Sequence, residues 1–463
     1  MSARPAPAPE LPRSVEKPTR GEEVRVLLKI AAPLAAAYLA ELAMGLTTKS
    51  IVGQLGYREL AAIGLASDTA SELIVVLVGF LTVVGVLVAQ AEGADRKDDA
   101  GMAARQGLIV ATGLGIAATA LVWHLDTVLG WTGQEPEILA LMGPYLKPLA
   151  FSILPVLWFF TLRTFVAALA KTSAILVITL GAVALNYVAA MGLVHGAYGL
   201  PELGVAGAGW AKAIVSVAMF LAVLAYAYLT PTFRGYGLFR GRLRLDLGVC
   251  REILRLGVPV AGLVVLEAGL FAAVAIFSGQ LGAVPLATYQ VMLAWIGIAF
   301  MIAHGLAEAG MVRVSYGIGR GSMAWARQAG LLTFAMGIAL LVLLIAVPLN
   351  FPEPLVLIFL ERSDPGFGAV LALTTDLLVL AAFFQVFDGL QVMASLALRG
   401  LKDTVFPLWC AALGYWVFGV LGGWLLAFRW DMGAHGLWWG MAAGLTVTGS
   451  LLALRFVFLT ARA

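Results

Sequence analysis

Apolar runs of about 20 residues, each long enough to cross a bilayer as a helix, recur through nearly the whole chain. They lie near 27–52, 62–90, 106–130, 141–168, 174–198, 204–229, 253–279, 286–311, 328–349, 367–397, 405–428 and 435–458. Twelve such runs dictate an all-α polytopic membrane protein, because every backbone polar group in hydrocarbon must find its partner within its own helix or in a closed barrel. A barrel would show alternating segments of about ten residues. The chain instead has long Ala, Val and Leu runs and 52 Gly, which suit helices packed through small residues. Only 12% of the 463 residues are charged, against about 25% in a soluble domain. That excludes an ordinary soluble enzyme. A net charge of +3 is too small to suggest nucleic acid, and Cys250 and Cys410 imply neither a disulfide nor a metal site.

Residues 1–25 carry Pro5, Pro7, Pro9, Pro12 and Pro18 among mixed charges, the composition of a disordered cytoplasmic tail rather than a secretory signal. An even number of spans places both termini on one side, and the basic residues say which. The tails and alternate loops hold 23 of the 30 Lys and Arg, including Arg96, Lys97, Arg234, Arg240, Arg313, Arg320, Arg399 and Lys402. The intervening loops hold Arg58, Lys147, Arg362 and Arg429, while Lys49, Arg163 and Lys212 fall in or near spans. Both termini are therefore expected in the cytoplasm, with the protein in a bacterial-type inner membrane.

The chain also repeats itself. At an offset of 226, Pro33 matches Pro259, Glu41 matches Glu267, GQLG at 53–56 matches GQLG at 279–282, and Gly79 matches Gly305. A shifted register continues the pattern through Arg105-Gln106 against Arg327-Gln328 and Gly207 and Trp210 against Gly436 and Trp439. The expected architecture is two six-helix lobes related by pseudo-two-fold symmetry, 26–229 and 253–463, joined by a basic cytoplasmic connector at 230–252.

Ionisable groups inside hydrocarbon cost about 2.5–3.5 kcal/mol on insertion scales and so invite a functional reading. Glu267 lies mid-span with no basic residue in the same span. Asp388 lies likewise, with Gln385 and Gln391 three residues to either side and on roughly its face. Either carboxyl can be a hydrogen-bonded structural group; together they can also exchange protons or hold a cation such as sodium.

FQVFDGLQVMASLALRGLKDT (384–404) followed by GYWVFGVLGGW (414–424) resembles the tenth and eleventh helices of the MATE (multidrug and toxic compound extrusion) family, NorM-type branch. LEAGLFAAVAIFSGQLG (266–282) resembles its seventh helix, GLAEAGMVRVSYGIG (305–319) the end of its eighth, and Asn186 with GLPELGVAGAGWA (199–211) its fifth and sixth. The resemblance implies ion-coupled export of small cationic amphiphilic compounds by a monomer of two lobes arranged in a V, with no organic cofactor and with membrane lipid around it. It places Glu267 and Asp388 at the cation and substrate site of the second lobe and Gln290 on the cavity wall. It also exposes departures. GLTTKSIVG (45–53) has Thr48 and Lys49 where the family pattern has Asp and Thr, which puts an ion site in the first lobe in doubt. Phe384 stands one turn before Asp388, where sodium-binding relatives can carry Tyr, and a hard cation wants several oxygens. Protons are therefore the favoured coupling ion, with sodium as the alternative.

Glu41, the repeat partner of Glu267, lies two turns before Thr48. It is either a displaced functional carboxylate of the first lobe or a structural partner for Lys49 or Lys212. Lys49 is expected to snorkel to the outer interface, Asp68 and Glu72 to form a solvated face, Glu308 and Arg313 to lie near the cytoplasmic interface, and His304 to pack as a neutral ring. No HExxH, His cluster or phosphate loop suggests an enzyme. A flippase for lipids or lipid-linked oligosaccharides, from the same superfamily, is the nearer rival. Such a protein would line its cavity with bases, whereas the spans here set Lys49, Arg163 and Lys212 against Glu41, Glu267, Asp376 and Asp388.

Overall fold

A computed structural model describes residues 17–131, 133, 136–239 and 245–461. Twelve helices in it are long and apolar enough to cross a membrane: α1 Arg20–Gly53, α2 Tyr57–Gly93, α3 Lys97–Trp123, α4 Pro136–Ala168, α5 Ser173–His195, α6 Val205–Leu229, α7 Leu247–Leu281, α8 Ala283–Gly319, α9 Met323–Asn350, α10 Phe367–Gly400, α11 Val405–Arg429 and α12 Gly433–Ala461. No strand is present among the described residues. Residues 1–16 of the expected tail, and Arg240, Arg242 and Arg244 of the expected connector, lie outside the described residues.

The tail expectation is corrected at its end, because residues 20–25 already belong to α1. The cause is local. Glu22 N donates to Thr19 Oγ1 at 3.3 Å and Thr19 N donates to Glu22 Oε2 at 2.8 Å, a reciprocal cap that satisfies two of the free amides of a helix start. Asp246 opens α7 in a similar way, accepting from Gly248 N at 2.9 Å and Val249 N at 3.1 Å. Within α11, Ala412–Leu421 and Leu425–Arg429 widen to π-helix.

Within each lobe the same pairs of helices pack. In the first, α4 lies against α2, α3 and α6, α6 against α5, and α5 against α1. In the second, α10 lies against α8, α9 and α12, α12 against α11, and α11 against α7. The lobes meet where α1 packs on α8, α7 on α2, and α2 on α8. That exchange is what a two-fold axis passing between α2 and α8 requires.

The repeat glycines make this seam. A Cβ on Gly305 of α8 would stand 2.7 Å from the backbone nitrogen of Ala35 in α1, and one on Gly79 of α2 would stand 3.1 Å from Val264 Cγ2 in α7. Close backbone approach through small residues is how helices gain dispersion contact where no hydrophobic drive separates them from lipid. Hydrogen bonds across the seam gather toward the face that carries both termini. Gln90 Nε2 donates to Gly400 O at 3.0 Å, and Arg399 Nη1 donates to Thr82 Oγ1 at 2.6 Å.

Candidate functional site

The second lobe holds a buried patch of polar side chains that its helices leave short of partners. Asp388 on α10 is 2% exposed, and its Oδ1 has no hydrogen-bond partner among the described residues. The same holds for both amide atoms of Gln385, for Gln391 Oε1 and for the hydroxyl of Tyr415 on α11. Buried polar atoms are normally paired, and each exception asks for an explanation. The α-helical spacing that puts Gln385 and Gln391 either side of Asp388 aims all three toward one region.

Glu267, half-buried on α7, lies within Coulombic reach of Asp388, and Tyr415 within reach of both. Two further charges approach Glu267: Arg399 from α10 and Glu72 from α2 of the other lobe. The absence of a base within its own span thus does not leave Glu267 without one. Phe384 is fully buried, packed edge-on to Trp438 at 5.6 Å and Phe271 at 6.3 Å, and brings no oxygen to the patch. Gln290 lies exposed near the start of α8, and Asp376 is exposed on α10.

The first lobe is built differently. Asn186 on α5 donates to Thr48 Oγ1 at 3.1 Å, and the Thr48 hydroxyl donates to Met44 O at 3.1 Å, so the position is a neutral hydrogen-bonded knot. Lys49 pairs with Asp68 at 2.7 Å in an exposed ion pair. Glu41 has a different partner from Lys49. Its Oε1 lies 3.9 Å from Arg163 Nη1 of α4, with Lys212 within Coulombic reach.

Arg163 is 1% exposed and also stands 3.5 Å from Glu308 of α8, while Tyr38 donates its hydroxyl to Glu308 Oε2 at 2.7 Å. The guanidinium lies over the Tyr38 ring, 4.3 Å from its centroid. Glu308 is therefore not an interfacial residue as expected but is 4% exposed between the lobes. Arg313, expected chiefly as a topology signal, grips Glu23 of α1. His304 packs against Tyr38 and Phe300 with ring centroids 5.1 and 5.7 Å away.

The inter-helix roles of Arg163, Glu308, Tyr38, Arg399 and Tyr415 escape a reading of the sequence. Arg163 carries one signal, a base inside LWFFTLRTFVAA with no acid within a turn, and such a base must find its acid on another helix.

Comparison with known proteins agrees with this architecture. The MatE family profile matches residues 33–192 and 259–425. The probable multidrug resistance protein NorM of Pseudomonas putida is 36% identical over 434 residues, covering 94% of each chain. The multidrug resistance protein NorM of Burkholderia vietnamiensis is 35% identical over 429 residues, covering 92% of each. An outward-facing multidrug resistance MATE family transporter of the MOP superfamily superposes with a TM-score of 0.86 at 18% identity, over 96% of this chain and 99% of that one. Helix count, internal repeat and both sequence comparisons agree, and the chain belongs to the MATE family, in its NorM-type branch.

Proposed function

We propose that this protein is a secondary active antiporter that exports cationic amphiphilic compounds in exchange for protons. It works as a monomer in a bacterial-type inner membrane, with both termini in the cytoplasm. The lobes are assigned to 26–229 and 253–463 with the connector at 230–252.

The observation that carries this reading is the patch around Asp388. A buried carboxylate oxygen without a partner, beside two glutamine side chains and within reach of Glu267, suits a ligand that brings positive charge. A proton and a cationic substrate compete for the same two carboxylates, so loading one releases the other. Protons are preferred to sodium because the oxygen set is thin. Phe384 contributes none, and Thr48 in the first lobe is already engaged by Asn186. The relatives named above are multidrug resistance proteins, and their substrates are assigned to this chain on that likeness.

Purified protein in liposomes, loaded with a cationic dye and placed under an imposed proton gradient or an imposed sodium gradient, tests the assignment. Dye movement under the proton gradient alone is expected. Strict dependence on sodium would overturn the coupling, and no movement under either gradient would overturn the transport reading.

A further inference from the structure

We propose that Glu41 is a proton-binding site of the first lobe whose occupancy follows the separation of the lobes, because it shares one buried guanidinium, that of Arg163, with Glu308 of the other lobe. The proposal rests on the exporter reading only for the premise that the lobes move. Three observations carry it. Arg163 is 1% exposed with the lobes joined, so its charge there needs a carboxylate partner. Two carboxylates compete for it, Glu308 at 3.5 Å across the seam and Glu41 at 3.9 Å within the lobe. Glu308 is further held by the Tyr38 hydroxyl, while Glu41 Oε1 is buried with no hydrogen bond among the described residues.

Glu41 is twelve residues beyond Lys29 and twelve before Gly53. The Lys29 carbonyl accepts from Thr172 in the loop between α4 and α5, which marks the termini face, so Glu41 lies near the middle of the span. The groups that face it are Tyr38 on α1, Arg163 on α4, Lys212 on α6 and Glu308 on α8; behind Glu308 stand His304 on α8 and Arg399 on α10.

The cycle follows from conservation of charge around Arg163. With the lobes joined on the termini face, Glu308 neutralises Arg163, and Glu41 is free to accept a proton. When the lobes part there, Glu308 leaves with α8 into water, and Arg163 keeps only Glu41 as a counter-ion, which favours its carboxylate form. Its proton departs to the termini face. Closing returns Glu308 to Arg163 and readies Glu41 again. The sign follows: because the parted state favours Glu41 ionised, raising the pH favours parting and lowering it favours closure.

Spin labels at Arg96→Cys and Arg320→Cys, two exposed loop positions on the termini face, report the separation in a background with Cys250→Ser and Cys410→Ala. In lipid nanodiscs the wild-type long-distance fraction should rise between pH 6 and pH 8. Glu308→Gln should raise that fraction at least threefold at pH 6, with Tyr38→Phe moving it the same way by less. Glu41→Gln should lower it at least threefold and flatten its pH response, whereas His304→Gln should leave the response in place. A cluster that only stabilises the fold would move Glu41→Gln and Glu308→Gln in one direction, and that result, or a wild-type pH response retained in Glu41→Gln, overturns the proposal. Glu41→Ala, which also removes the carboxylate, gives the same reading if the glutamine variant does not purify as a single species. Dye transport by the wild type separates this from the exporter reading: transport with an unchanged pH response in Glu41→Gln rejects the site alone.

Discussion

Arg313 of α8 binds the fully buried carboxylate of Glu23 in α1 through two hydrogen bonds of 2.7 Å each. The indole of Trp325 in α9 donates a third, at 3.2 Å. One side chain in the first turn of α1 is thereby tied to two helices of the other lobe. Removing one partner of a buried pair leaves an uncompensated charge and costs about 3–5 kcal/mol. Glu23→Ala should lower thermal stability in detergent by that order, and Glu23→Gln combined with Arg313→Met should recover part of it. Thermal unfolding followed by intrinsic fluorescence reads both.

Asp388→Asn should abolish dye export while leaving expression, membrane insertion and detergent elution unchanged. The amide keeps the shape of the side chain and removes the charge that proton and substrate share. Glu267→Gln should behave alike. Full drug resistance in cells carrying Asp388→Asn would reject the role.

Thr48→Val should cost about 1 kcal/mol of stability, the value of a buried donor, Asn186 Nδ2, losing its better acceptor. The remaining bond to Met44 O, at 3.4 Å, limits the loss. Export per folded molecule should be unaffected, because no charge is changed. A loss of proton coupling in this variant would instead assign Thr48 to the ion path.

Asp68→Asn should change stability by less than about 1 kcal/mol, since its ion pair with Lys49 is solvent-exposed. A melting curve in high and low salt checks this, with wild type and variant expected to converge as salt rises.

Hydropathy alone reaches the twelve spans, and the match of Pro33, Glu41 and Gly79 to Pro259, Glu267 and Gly305 reaches the paired lobes, because both are patterns of local spacing. Asp388 and its flanking glutamines are equally legible, being polar residues in an apolar run. The pairing of Arg163 with Glu308 is not. Their partnership depends on how α4 and α8 approach across the seam, and nothing in the 144 residues between them encodes it. Arg399 misleads for a related reason: it ends a helix, where bases signal topology, yet it turns inward to Thr82 and is only 6% exposed. The first turn of α1 was hidden by the proline-rich residues before it, although Thr19 and Glu22 already spell a capping box.

The two repeat glycines of the seam are not mechanically equal. Beside Gly305 stands main chain, which cannot yield, and beside Gly79 stands the end of a valine side chain, which can. Gly305→Ala should cost about 1–3 kcal/mol by overpacking and Gly79→Ala less, measurable as the difference between their melting temperatures. A duplicated ancestor would have started with two identical bearings; this chain has one hard and one compliant. Along the seam the α1–α8 contact is therefore stiff and the α2–α7 contact gives, so a molecule that looks symmetric is lopsided where its halves touch.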